Sequence, residues 1–424
     1  MKLIMPFRAV VFNQEKIGDL SKVVCPPYDV ITPSKRKHYH KINPHNFIRI
    51  LLGNDVAGED KYKRSAQHFK EWLQSGVFVQ DQKPCIYFYL QQFSIRGEKR
   101  SRMGFIALLR LDDGKARVFG HEHTRSEPKV DRLRLLRKVK ANLSPIFAIF
   151  PDKHRIIRRV YELYIRGKEP FIDIADSDNI LHQLWRIDSP EVTEQIQKRM
   201  DGENIFIADG HHRYEVACIY REQMRKKMHN FTGREAFNFI PTYFTNPQTP
   251  DLTIMPVHRL IYTKRGFDFG RFRRELGSFF EVEEVKDKIK FFFMLEKAGN
   301  TENVLGMYAD GRFSLLRLKN VLILDRLIAD KPKAYRFLSV SIFNYLVLKK
   351  ILGMDIEDKK RILFSPNASE LIEQARGRPD AMVFMLNPVK MEQIMSVAVE
   401  GERMPSKSTY FYPKVLSGLV INKL

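Results

Sequence analysis

Hydrophobic positions recur along this chain in two periods, every second residue and every third or fourth, and each change of period marks an element. Ile4 to Phe12 alternates and predicts a first strand. Cys25-Pro26-Pro27-Tyr28-Asp29 reads as a stiff loop, because each proline fixes φ and removes a donor. Thr32-Pro33 predicts a helix start, with Thr32 as cap. Asn43 to Asn46 is a turn before the apolar run Phe47 to Leu52. Lys61 to Gln74 is a helix with Tyr62, Ala66, Phe69 and Leu73 on one face. Val77 to Leu111 predicts an antiparallel meander, with a turn at Arg96 to Lys99. Asp112-Asp113-Gly114 turns the chain again.

The pattern then predicts a basic helix over Asp131 to Ala141, a strand over Ser144 to Phe150 and a helix over Lys153 to Tyr164. Short strands follow at Phe171 to Ile174 and Leu181 to Ile187, then a helix from Pro190 to Met200 capped by Ser189. Ile205 to Ala208 is a buried strand running into a polar turn and a helix that reaches about Lys227. Strands at Ala236 to Phe244 and Leu252 to Tyr262, a helix at Arg271 to Phe280 and a hairpin through Ala309-Asp310-Gly311 come next. From Ser341 an apolar helix runs to Leu352 and stops at Gly353. Ile362 to Phe364, Ala368 to Gln374, Ala381 to Leu386 and Val389 to Glu400 then read as a strand–helix–strand–helix unit. Interleaved strands and helices of this kind predict a mixed α/β (α+β) protein. Its first region spans 1–262, and a second α/β region spans 263–424 with a tail able to return to the first.

A chain of 424 residues is long enough for two or three domains. No apolar run reaches the roughly 18–20 residues of a membrane helix. Met1 to Arg8 is too short a leader for secretion, so a cytoplasmic protein with no membrane partner is expected. Three separated cysteines, Cys25, Cys85 and Cys218, fit neither a disulfide framework nor a metal knuckle. The net charge of +22, from 72 basic and 50 acidic residues, fits an anion-seeking pocket or, less favoured, nucleic acid. The basic residues are densest between Arg96 and Lys140.

The strongest chemical signal is Asp209-Gly210-His211-His212-Arg213, placed where a buried strand meets a helix. A helix N-terminus offers free N–H groups and partial positive charge, so it attracts phosphates. Gly210 lets a ligand approach the backbone, Arg213 can bind phosphate, and Asp209 can hold a metal or take a proton. His211 and His212 can shuttle protons. The same residues could instead form a capped, solvated turn. Gly120-His121-Glu122-His123-Thr124 is the second signal, since His121 and His123 share a side of an extended segment and could ligate a metal. Tyr28 and Asp29 follow the double proline. Lys407 and Lys414, in a tail rich in hydroxyls and aromatics, could close over phosphates. Asn46, Arg49, Arg132 and Arg134 are weaker candidates.

Together these motifs resemble a bacterial and archaeal family, the domain of unknown function 1015. The matching stretches are Cys25 to Ile31, Asn43 to Arg49, His121 to Thr124 with Asp131 to Leu133, Asn142 to Pro145, Ala208 to Glu215, Pro256 to Arg259 and Met404 to Lys414. Its Asp-Gly-His-His-Arg core is similar to the phosphate-gripping turn of the ParB and sulfiredoxin superfamily, which includes free-serine kinases. The resemblance implies a ParB/sulfiredoxin-like nucleotide-binding core and a nucleotide-dependent small-molecule kinase, with free serine as the candidate substrate. ATP or ADP and Mg²⁺ would be the cofactors and a small hydroxyl compound the partner. Asp209, His211, His212, Glu122 and Asp29 would be catalytic, with Glu122 or Asp29 as base and Asp209 holding the metal. Gly210, Arg213, His121, His123 and Lys407 would bind the cofactor. The alternatives are a ParB-like nucleotide-binding regulator, which would need a helix-turn-helix, and a metal-dependent hydrolase built on the four histidines.

Overall fold

The structure is a computed structural model that describes residues 2–111, 117–124, 126–228, 230–247, 252–264, 266–355, 358 and 360–424. The chain divides into two compact units. The first comprises 1–120, 124–253 and 413–424; the second comprises 121–123 and 254–412. Both mix helices with sheet, as the alternating pattern predicts.

Among the described residues, nine strands make the main sheet of the first unit. Its long central hairpin is Ile86–Ile95 against Glu98–Arg110. Leu181–Ile187 and then Ile172–Ala175 extend one side. Phe239–Thr245, Ile146–Ile149, Ile205–Asp209 and Val118–Gly120 extend the other in that order. The pairing mixes directions: Ile205–Asp209 runs antiparallel to Ile146–Ile149 and parallel to Val118–Gly120. Phe88, Phe105, Ile146, Ile205 and Ile207 belong to one fully buried cluster, which keeps the strand ahead of Asp209 rigid. The tail returns to this unit. Asn422–Lys423 pairs with Ala141–Asn142, and Ser417 and Ile421 bridge to Cys25 and Val10.

The second unit carries an antiparallel sheet ordered Phe280–Val285, Arg312–Leu318, Val304–Ala309, Ala381–Met385, His258–Tyr262 and Ile362–Ser365. Leu260, Phe291, Leu315 and Val383 lie in its core.

Local signals set several boundaries. Thr32 accepts from Lys35 N to cap Pro33–Ile42, and Ser189 accepts from Val192 N to cap Pro190–Met200. The helix Lys61–Gln74 forms as expected, but Ser65, Phe69 and Trp72 are its buried residues, so its inward face is rotated from the one expected.

The structure also corrects some readings. The expected strand over Ile4–Phe12 is two strands, Ile4–Met5 and Val10–Phe12, in different sheets, with Pro6 between them. Phe78–Gln80 pairs with Val10–Phe12, so the meander reduces to the hairpin Ile86–Arg110. The helix predicted over Lys153–Tyr164 starts only at Ile156 and widens to π geometry over Tyr161–Ile165. The helix predicted over Ser341–Leu352 likewise turns to π geometry at Phe343. Leu252–Tyr262 is split into Thr253–Met255 and His258–Tyr262 around Pro256. The expected turn at Asp112 to Gly114 lies outside the described residues.

Candidate active site

Ile205–Asp209 delivers Asp209 to the end of its strand, where the pairing with Ile146–Ile149 shifts register between Ile207 and Asp209. Gly210 follows at φ +93, a left-handed conformation that costs glycine little. A Cβ there would lie 2.9 Å from Ile146 Cγ2 and 3.0 Å from the Arg213 guanidinium carbon, so the position has no room for one. The helix His211–Lys227 starts at once, with Gly210 as N-cap and no side-chain cap. Asp209 therefore does not cap this helix. Its Oδ2 accepts from Arg213 Nη2 at 2.7 Å, and its Oδ1 accepts from Lys414 Nζ.

All three charged groups are largely buried, their side chains 11–13% exposed. Burial alone would raise the Asp209 carboxyl; Lys414 and Arg213 beside it overcome that and hold it well below the usual carboxylate range. The cluster thus pairs one anion with two cations. Arg213 also donates through Nη1 to Pro145 O, and its buried Nε has no partner among the described residues.

Arg213 also lines a solvent-open pocket, with about 470 Å³ of space that includes the open solvent at its mouth. Tyr28, Arg132, Asn142 and Ser144 are its other polar walls, and Leu135, Leu136, Val216 and Ile240 are among its apolar ones. The Arg132 guanidinium lies 4.5 Å from the Tyr28 ring centroid. Asp131 and Leu51 O hold Arg132 in place. Burial pushes the Tyr28 hydroxyl well up, so it stays protonated at neutral pH and able to donate. Asp29 is exposed in the turn Tyr28–Val30. The tail lies along this wall: Ser144 and Ser417 share a 2.6 Å hydrogen bond, and Asn422 donates to Asn142 at 3.0 Å.

His211 is buried and His212 half-buried. A Cβ at Gly120 would stand 3.4 Å from the His211 ring. Asn46 and Arg49 hold the backbone: Asn46 donates to Lys22 O and Val24 O, and Arg49 donates to His40 O. Arg49 and Asn46 are therefore frame residues of the double-proline loop and its neighbours.

The second unit holds the other motifs. Glu122 accepts from the backbone N of Lys407 at 2.9 Å, and His121 Nε2 meets Thr409 Oγ1 at 3.3 Å. Lys407 is exposed and, unusually for lysine, left-handed at φ +62. Arg259 is 1% exposed; it donates to Lys407 O at 3.0 Å and to Val257 O. Burial lowers Arg259 to about 9, with Glu122 acting the other way. His123 is exposed. Among the described residues, no group of three or more His, Cys, Asp or Glu is arranged to hold a metal ion.

A family model described as protein of unknown function (DUF1015) matches residues 4–341. The chain belongs to this family. The DUF1015 match takes in Tyr28, Arg132, Asp209 and Arg213 and stops before Lys407 and Lys414. No curated protein matches the chain. Among solved structures, a mutant free serine kinase in complex with ADP is 12% identical, with a TM-score of 0.36, covering 72% of this chain and 87% of its own. A conserved hypothetical protein from Pyrococcus furiosus is 12% identical, with a TM-score of 0.34 and coverages of 73% and 92%. C-terminally truncated SbnI from Staphylococcus aureus is 9% identical, with a TM-score of 0.36 and coverages of 74% and 86%.

Two features of this DUF1015 site were not legible as such. Lys414 was a candidate for phosphate, but its partner Asp209 lies 205 residues away in sequence. Nothing local marks such a pair. The Tyr28–Arg132 stack is equally non-local, although both residues stand in motifs of the family resemblance.

Proposed function

We propose that the pocket beside Asp209 binds a nucleotide and that the protein transfers a phosphoryl group from it to a small hydroxyl compound, with free serine the first substrate to try. The observation that carries this is the buried Asp209–Arg213–Lys414 cluster, at a helix N-terminus without a side-chain cap, sharing Arg213 with a pocket that also presents Arg132. One carboxylate fixes two cations, leaving net positive charge beside a helix N-terminus. That arrangement suits phosphate oxygens. The apolar wall of Leu135, Leu136 and Val216 suits a base or another apolar moiety. The likeness of Gly210–Arg213 to the phosphate-gripping turn of the ParB and sulfiredoxin superfamily supports the same reading.

Phosphoryl transfer is chiefly positioning and charge neutralisation. Asp209 serves as organiser: it aims Arg213 and Lys414, and they neutralise charge as the phosphoryl moves. The substrate hydroxyl loses its proton to a carboxylate, for which Asp29, in the same unit as the pocket, is the candidate. Its oxygen bonds to the terminal phosphorus, and the bridging P–O bond breaks toward the departing nucleotide. His211 and His212 support the turn. Asp209 fits a metal poorly, because Lys414 and Arg213 already occupy its two oxygens. Mg²⁺ would arrive with the phosphates, so no step is assigned to it on the protein.

The test is direct. Purified protein with Mg²⁺, ATP or ADP, and L-serine or a panel of small alcohols should yield the phosphate ester. Lys414→Met should cut the rate about 100-fold or more, in the range seen when one charge-stabilising donor is removed, while the protein stays folded. Unchanged turnover in that variant sinks the site. If nucleotides raise the melting temperature but no phosphate ester forms with any alcohol, the site binds nucleotides and the kinase reading fails.

A further inference from the structure

The net charge of +22 is divided between cations turned into the fold and cations left at the surface. Between Arg96 and Lys140 part of the charge is turned inward, while Arg134, Arg137, Lys138 and Lys140 are among the cations left exposed. Arg102 is 0% exposed and donates to Gln91 and to Pro413 O. Arg132 is bound to Asp131, Lys129 to Glu215, and Arg110 to two backbone carbonyls. These cations are committed to the fold, and of them Arg132 also lines the pocket beside Arg213.

The segment after Phe150 differs. Lys153, His154, Arg155, Arg158 and Arg159 are all exposed, and Arg166 and Lys168 continue the run. Among the described residues, no ion pair compensates Lys153, Arg155, Arg158 or Arg159; Arg166 pairs with Glu162. Arg158 and Arg159 stand three and four residues beyond Arg155, on neighbouring positions of one helical turn. The acidic groups that face this turn are Asp152 and Glu203, only 2% and 8% exposed.

Asp152 makes the turn rigid. Its carboxylate accepts from Ile156 N at 2.6 Å, from Ile157 N at 3.3 Å and from Asn246 Nδ2 at 3.1 Å. Asp152 and Arg155 are both left-handed, at φ +47 and +50. Such backbone is strained for residues other than glycine, and a fold keeps that strain where the surroundings enforce it. Here a buried carboxylate enforces it, and the backbone it holds carries the exposed cations Lys153, Arg155, Arg158 and Arg159. Ordinary solvated lysines and arginines need no such support.

We infer that the Lys153–Arg159 turn is a docking surface for the phosphate backbone of a nucleic acid. Closely spaced, exposed cations on a held backbone match a regular polyanion, and their reward is the release of its condensed counterions. Recognition would follow backbone charge, whether the strand is DNA or RNA. An anionic membrane is the less suitable partner: Leu163 is the large apolar side chain exposed along this segment, and one is too few to anchor a membrane-surface helix.

The experiment uses the full chain and fluorescence anisotropy with a labelled 30-base-pair DNA duplex, a single-stranded RNA of equal length, and vesicles of phosphatidylserine and phosphatidylcholine, each across a salt series. Either nucleic acid should bind at low salt and weaken steeply as salt rises. The triple variant Lys153→Glu/Arg158→Glu/Arg159→Glu should bind at least tenfold more weakly, with the slope of log K against log salt reduced by about 2–3 for the three lost phosphate contacts. Arg158→Lys/Arg159→Lys should keep most of the affinity, and if the triple variant misfolds, Arg158→Gln/Arg159→Gln takes its place. The proposal fails if neither nucleic acid binds at low salt, if the charge-changed variant binds as the parent does, or if only vesicles bind. Lys414→Met should leave this binding unaltered, which separates its failure from failure of the kinase reading.

Discussion

Asp209 shows how a single residue is decided by a balance of two large effects. Removing a carboxylate from water opposes its charge, and two cations in contact restore it. Removing one partner then leaves a poorly paired buried charge. His258, in the second unit, shows the opposite balance. It is 6% exposed, and burial lowers it to about 4, with the neighbouring Arg259 adding to the effect. The two groups predict two stages of acid unfolding. A lowered histidine is neutral in the fold and takes up a proton more readily when unfolded. Its contribution is therefore intact above an unfolded value of 6.5 and shrinks as pH falls toward about 4, in total by about 3 kcal/mol. Asp209 loses its contribution only below its ordinary value of 3.8, as the pH approaches its depressed folded value. Urea unfolding from pH 8 to pH 3 should show a sloping loss between pH 6.5 and 4 that His258→Gln flattens. A slope in that window unchanged by the substitution would contradict the assignment.

At the scale of the element, the strand–turn–helix at 205–227 was legible because each local signal agreed with the next. A continuous apolar run marks the buried strand, Gly210 the left-handed step and the periodic residues after it the helix. The Pro190–Met200 helix was readable for the same reason, with Ser189 and Pro190 at its start. Where local signals conflicted, the reading failed. Alternation over Ile4–Phe12 suggested one strand, but Pro6 cannot donate to a ladder and the two halves join different sheets. The π turns at Tyr161–Ile165 and Phe343–Ile351 leave no sequence mark, since an inserted residue barely disturbs an apolar period. Gly210→Ala tests the turn. It should cost about 1–3 kcal/mol from backbone strain, and more as the new Cβ meets Ile146. Gly97→Ala is the control, at φ +84 with nothing within 4 Å of the added carbon. Equal losses in the melting temperatures of both would show that packing at Gly210 is unimportant.

For the whole molecule, the chain's last residues are part of the first unit's core. Leu416, Leu419, Val420 and Ile421 are at most 3% exposed, and Lys414 reaches Asp209 from the same segment. Deleting 413–424 should therefore remove about 6–12 kcal/mol of apolar burial, at about 1.5–3 kcal/mol per side chain, comparable to the whole stability of a typical domain. Chain ending at residue 412 should be insoluble or lack a cooperative melt; a cooperative melt near that of the full chain would refute the structural role of the tail.

The sequence by itself determined the alternation of strands and helices, the polar turn after Ala208 and the family, because these rest on local periodicity, caps and short motifs. It also named Asp209, Gly210 and Arg213 as one candidate group, since they lie within one turn of chain. Only the tertiary structure decided that Asp209 spends its charge on Lys414, that Arg132 stacks on Tyr28, and that Lys153, Arg155, Arg158 and Arg159 all face solvent. The reason is physical: charge and burial depend on neighbours brought together by folding, and those neighbours are hundreds of residues apart in some cases.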